Sequence, residues 1–372
     1  MIIKVIYILS NISHAPSYQW IAKGLNTEKF NLSFIFLNPE TTELEKEIKN
    51  LGIRVYHIPF SGKKDYIKAW FKCYRLLRSL GPDIVHCHLF DANIIGLSAA
   101  IMAGVRKRIH TRHHGDLHHV SFSRGVWLDR LVNSLSTDVV APSEVAKKVL
   151  VEMDKIEPSK VKVIHHGFDF REFQNIAPDR VLNLRMKYNV PEGVGPVVGI
   201  IARWTELKGV HIAIKAFFEF RKNYSNALLI LANAHGDYEK SISELLNQMP
   251  EKNYRKIMYE KDVAALYRLF DIYIHVPIRE TAEAFGQTYI ESILSGIPAV
   301  FTRSGIIGEI INNNHFRVVL SSDSKAIFKE IENEIVAKVN QANNEMHSNM
   351  DFINEYSISN MTMKLEQLYI AD

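Results

Sequence analysis

The sequence predicts an α/β protein of two doubly wound parallel-sheet domains, and three observations carry that prediction. From Ile2 onward, short apolar runs rich in β-branched residues alternate with helical stretches, the order that lays strands side by side in a parallel sheet. Over residues 174–194 the alternation lapses into a stretch holding Pro178, Pro191 and Gly193, with Gly195 just beyond, and it restarts at Val197. At 372 residues the chain is also longer than one hydrophobic core usually serves. The expected division is 1–177 and 178–354, with a last helix beyond.

Composition sets the class. With 47% hydrophobic and 23% charged residues this is an ordinary globular chain. No apolar run reaches the ~18 residues that span a bilayer. Residues 1–9 lack a basic leader and a small-residue cleavage site, so they read as a strand rather than a signal peptide. Cys73 and Cys87 stand at no zinc or redox spacing, which points to a reduced, cytoplasmic setting. The net charge of +4 is uneven: residues 1–175 hold 24 Lys and Arg against 17 Asp and Glu, and the remainder 21 against 24. The basic surplus belongs to the first half. No nucleic-acid partner is expected.

In the first domain, strands are expected at 2–9, 30–37 and 54–58, with helices at 17–25 and 42–51 between them. No G-x-G-x-x-G follows the first strand, so the ordinary dinucleotide fingerprint is absent. Residues 63–80 form a helix with Lys64, Lys68, Lys72 and Arg75 on one stripe and Trp70, Cys73, Tyr74 and Leu77 on another. That pattern is either a solvated face over a core face or a helix lying on an anionic bilayer, where each basic residue contributes ~1 kcal/mol. Arg106, Lys107 and Arg108 add to the same domain's charge. A strand at 84–88 ends in His86 and His88, expected to be structural because no further metal ligand accompanies them. The strand at 107–111 runs into Arg112, His113 and His114. Ligands bind at such C-terminal strand ends, and an imidazole there can donate to a hydroxyl or a phosphate oxygen. His118 and His119 fall in an expected mobile loop, ahead of Arg124. Ser143 is a natural N-cap for the helix beginning at Glu144, and 161–165 is the domain's last strand.

The second domain opens with a strand at 197–202, followed by Arg203, Trp204, Thr205, Glu206, Leu207, Lys208 and Gly209. Arg203 sits at the strand's end, and Lys208 with Gly209 opens a helix whose dipole favours anions. Arg offers bidentate bonds and Lys a compact charge, a pairing suited to a diphosphate. Taken alone, both also read as surface residues beside a loop. Strands follow at 228–232, 257–259 and 270–277, with a helix at 262–270. Glu283 then lies in a loop, and Gly286 starts a helix closed by Gly296 and Pro298, with Glu291 about one and a half turns in. The amides of Phe285, Gly286 and Gln287 beside two carboxylates suit a ligand rich in hydroxyls. By spacing alone, the two acids are equally a helix-terminal charge and a solvated helix residue. Strands at 297–302 and 316–320 and helices at 324–339 and 361–369 complete the pattern.

Residues 280–298, ETAEAFGQTYIESILSGIP, closely resemble the E-x7-E signature of the retaining glycosyltransferases of family 4, which have the two-domain GT-B fold. Arg203 through Gly209 resembles the family's G-R-x4-K-G element, with Ala202 for its glycine; residues 81–88 resemble P-D-I-V-H-x-H, and 304–309 its glycine-rich turn. His166, Gly167, Phe168 and Asp169 stand where the family shows Asn-Gly-x-Asp. The resemblance implies two Rossmann-like domains facing across a cleft, the helix at about 355–372 returning to the first. It implies metal-independent transfer with retention, the donor nucleotide sugar lying on the C-terminal domain. Arg203 and Lys208, beside Gly209, would neutralise the pyrophosphate. Glu283, with the amides of Phe285, Gly286 and Gln287, would orient the sugar, and Glu291 would hold the ribose. His113, or His114 in the other register, would lie near the sugar's 6-hydroxyl. The family's glycine-rich loop after strand one is replaced by residues 11–16, so Asn11 and His14, with His114 and Arg124, are the acceptor-side candidates.

A UDP-sugar is the first choice of donor, with GDP- and ADP-sugars as alternatives, and no cofactor is expected. The acceptor would be a glycan or lipid-linked glycan of surface polysaccharide assembly, met at the inner face of the membrane through the basic first domain. Two other readings remain, a nucleotide-sugar epimerase of the same fold and a catalytically silent binding subunit. The pairs Arg203/Lys208 and Glu283/Glu291 speak against both.

Overall fold

The first apolar run is buried from Val5 to Ser10, as a central strand of a parallel sheet must be. In the computed structural model, which describes residues 2–310, 316–320, 323–340 and 350–371, this run is β1, Ile3–Ser10. It is joined by β2 (Phe30–Asn38), β3 (Arg54–Pro59), β4 (Ile84–His88), β5 (Lys107–Thr111), β6 (Asp138–Ala141) and β7 (Val161–Val163). These strands form one parallel seven-stranded sheet in the order β3-β2-β1-β4-β5-β6-β7. The period of two sorts its side chains. Val5, Tyr7 and Leu9 pack with the helices Pro16–Gly24, Glu43–Asn50 and Ile358–Ile370, while Ile6 and Ile8 face Tyr66–Leu80 and Phe90–Met102.

A second sheet, again all parallel, comprises β8 (Val197–Ile201), β9 (Leu228–Ala232), β10 (Tyr254–Ile257), β11 (Ile272–His275), β12 (Ala299–Thr302) and β13 (Arg317–Val319). Its order, β10-β9-β8-β11-β12-β13, repeats the winding of the first. The chain divides into a unit of Met1–Asp169 with Asp351–Asp372 and a unit of Phe170–Met350. The predicted fold class, two doubly wound parallel sheets, is what the chain adopts.

The last helix belongs to the first unit. Tyr369 donates or accepts a 2.6 Å bond with Tyr7 and meets His86 Nδ1 at 2.8 Å. Phe168 and Ile358 exchange backbone bonds with Tyr356 and Phe168 respectively, which ties the return segment to the chain just after β7.

Several elements differ from expectation. Residues 174–194 hold a helix, Pro178–Lys187, because its proline sits at the first helical position, where a missing N–H costs nothing. The strand expected at 257–259 is Tyr254–Ile257: β10 is an edge strand, where Arg255 and Lys256 are tolerated, and Met258 and Tyr259 are exposed beyond it. Helices Phe90–Met102 and Ser123–Leu135 carried no expectation; the first is apolar on nearly all sides and so shows no amphipathic period. The loop expected around His118 and His119 is a short helix, Leu117–Ser121, held by the ion pairs described below. Ser143 caps its helix as expected, accepting from the Ala146 amide at 3.0 Å.

Candidate active site

In each sheet the winding reverses beside the central strand, between β1 and β4 and between β8 and β11, and such switch points open a crevice at the strands' C-terminal ends. In the second unit, the loops after β8 and β11 are locked together there. The Ile278 amide donates to Leu207 O at 3.1 Å. Gly209, at φ +66°, lies so close to the end of β11 that a Cβ would fall 1.9 Å from Val276 O. Only glycine meets both demands, and the contact brings Lys208 over the loop that carries Glu283.

The Lys208 ammonium is ion-paired with Glu283 Oε1, and His275 Nε2 stands 2.9 Å from the same oxygen. Glu283 is 6% exposed. Its backbone N–H donates to Ser304 Oγ at 3.2 Å, and Ser304 Oγ donates in turn to Arg279 O at 2.8 Å. Gly305, at φ +54°, would place a Cβ 2.5 Å from Phe285 O and 2.8 Å from Glu283 Cβ, so the loop after β12 closes tightly under the acid. Burial opposes the charge of Glu283, but the Lys208 ammonium and the His275 bond outweigh it and hold the carboxyl well below its usual range. Arg203 is exposed at the end of β8, leaving it accessible to an anion.

Gly286, at φ +84°, caps the helix Gln287–Leu294. Phe285 is buried, and Gln287 is exposed on the helix's first turn. Glu291 does not join the Lys208–Glu283 pair; its Oε2 accepts from the buried Tyr267 hydroxyl at 3.1 Å. Burial pushes this carboxyl up to about 7, the Tyr267 bond pulling the other way. The two signature acids are thus differently charged at neutral pH, one fixed as an anion and one poised to titrate.

In the first unit, His113 and His114 point to different surroundings. His113 Nε2 meets His88 Nδ1 at 3.1 Å and its ring stacks on His166 at 6.0 Å. Burial takes His113 down to about 3 and His166 to about 4, so both imidazoles are neutral and can donate or accept. His86 is saturated, with Tyr369 on Nδ1 and Thr111 on Nε2, both at 2.8 Å. His114 instead turns toward Asp129. Asn11, at φ +51°, donates to Asp91 Oδ2 at 2.6 Å. His14 and Arg124 are exposed, the latter on the first turn of Ser123–Leu135.

His114, His118 and Asp129 have ligand atoms within 4.8 Å of one another, a set that could hold a metal ion. A cation already serves that carboxylate: Arg112 Nη2 lies 3.1 Å from Asp129 Oδ2, and its Nη1 lies 3.1 Å from Asp154. His118 and His119 bond Asp129 and Asp154 at 2.7 and 2.6 Å. Burial works against Asp129's charge, yet the histidine bonds and Arg112 keep it ionised. The cluster is a charged strut joining the segment after β5 to the helix Ser123–Leu135.

Sequence reasoning passed over His275, Ser304, Tyr267 and the Arg112–Asp129–Asp154 cluster. His275 carried a usable signal, a single imidazole ending an otherwise apolar strand just before the loop of Glu283.

Two family models match the chain, Glycosyltransferase Family 4 over residues 21–172 and Glycosyl transferases group 1 over residues 185–351. The capsular polysaccharide biosynthesis glycosyltransferase CapH of Staphylococcus aureus is 25% identical, covering 99% of this chain and 99% of its own. The UDP-Gal:alpha-D-GlcNAc-diphosphoundecaprenol alpha-1,3-galactosyltransferase of Escherichia coli is 22% identical over 93% of this chain and 90% of its own. The crystal structure of Anabaena Alr3699/HepE in complex with UDP-glucose superposes with a TM-score of 0.78 at 18% identity, covering 98% of this chain and 99% of that one. With both family models matched in order and the GT-B pair of parallel sheets in place, the chain belongs to the family 4 glycosyltransferases.

Proposed function

We propose that the chain transfers a hexose from a nucleoside-diphosphate sugar to a glycan or lipid-linked glycan in surface polysaccharide or glycolipid assembly, with retention of anomeric configuration. The observation that carries this reading is the meeting of Lys208 and Glu283 at the β8/β11 switch point, with Arg203 exposed at the end of the same strand. Two cations there suit a diphosphate, and an anion held among donors suits a sugar's hydroxyls. As the bond between the anomeric carbon and the diphosphate oxygen breaks, the electron pair leaves with the phosphate. Lys208 and Arg203 stabilise that growing charge. The acceptor hydroxyl forms the new bond on the same face and passes its proton to the departing phosphate oxygen. No metal ion is needed at the diphosphate, because the two side chains supply the charge.

UDP is the favoured nucleotide, in keeping with a UDP-Gal-named relative and a structural neighbour crystallised with UDP-glucose. Glu291 takes the ribose hydroxyls, and His113 takes the sugar's 6-hydroxyl or the acceptor. Among the described residues no helix is long and apolar enough to cross a membrane. A peripheral contact is supported instead by the helix Tyr66–Leu80, where Ile67 and Phe71 are 75% and 55% exposed beside Lys64, Lys68 and Lys72.

The test is a thermal-shift and turnover panel of UDP-, GDP- and ADP-hexoses, with and without Mg²⁺. One nucleotide should raise the melting temperature selectively, and its sugar should be hydrolysed slowly without acceptor at a rate indifferent to Mg²⁺. Binding with no hydrolysis or transfer at all would leave a silent binder, and strict Mg²⁺ dependence would overturn the charge assignment.

A further inference from the structure

We infer that His275 is a positioning residue for Glu283, the fixed partner that lets Lys208 exchange Glu283 for the donor's diphosphate. The inference rests on the reading of Lys208 as the diphosphate's cation. His275 ends β11, is 3% exposed, and presents Nε2 to Glu283 Oε1 at 2.9 Å, with the edge of Tyr289 packed on its ring at 4.7 Å. A carboxylate can only accept, so the imidazole's proton is on Nε2. Nδ1 is buried without a hydrogen-bond partner among the described residues, and a bare lone pair is the form that such a place tolerates. Burial lowers the ring's basicity further, against the pull of Glu283, so the bond is one from a neutral donor to an anion.

The two partners of Oε1 differ in freedom. Lys208 is partly exposed on a flexible four-carbon stem, whereas the His275 ring is walled in by its strand and Tyr289. A diphosphate arriving beside Lys208 competes with Glu283 for the ammonium. Were Lys208 the carboxylate's sole charge-bearing contact, that exchange would strand a buried anion. With His275 in place, Glu283 keeps a charge-assisted bond and its orientation while the lysine changes partners.

Three variants separate positioning from packing. His275→Leu fills the buried site without a donor, His275→Gln places an amide N–H near the lost Nε2, and His275→Asn carries its amide only as far as Nδ1. We expect His275→Leu to lower kcat by about 10- to 100-fold, the range known for losing a hydrogen-bond partner that orients a metal ligand, applied here to a partner that orients an acid. UDP affinity should weaken as well, since Lys208 is then harder to draw from Glu283, while the sugar-dependent part of KM changes little. His275→Gln should recover most of kcat, and His275→Asn should resemble His275→Leu. If Leu does not fold, the Gln and Asn pair carries the comparison. Equal turnover in folded Gln and Asn variants, or wild-type turnover in His275→Leu, overturns the inference. Lys208→Ala and Glu283→Gln run alongside: normal turnover in those two would instead remove the donor-site reading on which it rests.

Discussion

The ends of β5 and β11 both lead into histidine, and the two units use it in opposite ways. In the second unit, His275 bonds an acid that also holds a lysine, so two side chains share one carboxylate oxygen and keep a buried anion fixed. In the first, His113 bonds another histidine, His88, and stacks on a third, His166, with all their charge removed by burial. The cation of that region lies one residue before it, where Arg112 pairs with Asp129 and Asp154; one residue after it His114, its basicity lowered by burial, turns to Asp129. In the second unit the cations stay near solvent, Lys208 partly exposed and Arg203 exposed. In the first, neutral imidazoles stand at the strand's end, with the ion pairs of Arg112 behind them serving as a brace.

That contrast can be broken at the brace first, where the largest effect is expected. Arg112→Ala leaves Asp129 with His114 and His118, and Asp154 with His119 and Asn133, and loss of one partner of a buried pair costs about 3–5 kcal/mol. The first unit should melt well below wild type, while UDP-induced stabilisation of the second persists. An unchanged melting temperature would show that Asp129 and Asp154 do not depend on the guanidinium.

Next is Lys208→Ala. Removing one donor aimed at developing charge usually costs about 10²–10³ in kcat, or roughly 3–4 kcal/mol. Stability should fall less than in Arg112→Ala, because Lys208 is partly exposed and His275 still bonds Glu283. Near-normal turnover would show that Lys208 is only Glu283's structural counter-ion.

Much of this was legible beforehand because parallel strands buried on both faces announce themselves as apolar runs, and β1, β2, β4, β8 and β9 fall within about two residues of expectation. The family resemblance named Arg203, Lys208, Glu283 and Glu291, but it did not say that Lys208 meets Glu283 while Glu291 stands apart with Tyr267. That depends on Gly209 meeting Val276 across the sheet, a contact with no trace in local pattern. The His113–His114 pair was illegible for a similar reason. Neighbouring residues at a strand's end leave it in different directions, and only the placement of His88 and Asp129 separates them. Helix Pro178–Lys187 was hidden by a proline that marks a start as readily as a break.

The smallest expected effect is also the most discriminating, because stability and binding should move in opposite directions. The Glu291 carboxyl rises from 4.5 to about 7 on folding, so between those values the folded chain holds a proton that the unfolded chain has released. Stability from this group is therefore present at pH 5 and declines as pH rises toward 7, since ionising a half-buried, desolvated carboxylate disfavours the fold. Glu291→Gln cannot ionise, and without ligand it should melt above wild type at pH 8, the gap closing toward pH 5. Nucleotide binding should run the other way. If the ribose hydroxyls donate to the ionised acid, wild-type affinity for UDP rises as pH passes upward through about 7, whereas the Gln variant binds weakly at pH 8 and changes little with pH. A variant that matched wild type in affinity while melting higher would reduce Glu291 to a half-buried acid bonded to Tyr267, and the difference between the two signature carboxylates would then be one of packing rather than of ligand chemistry.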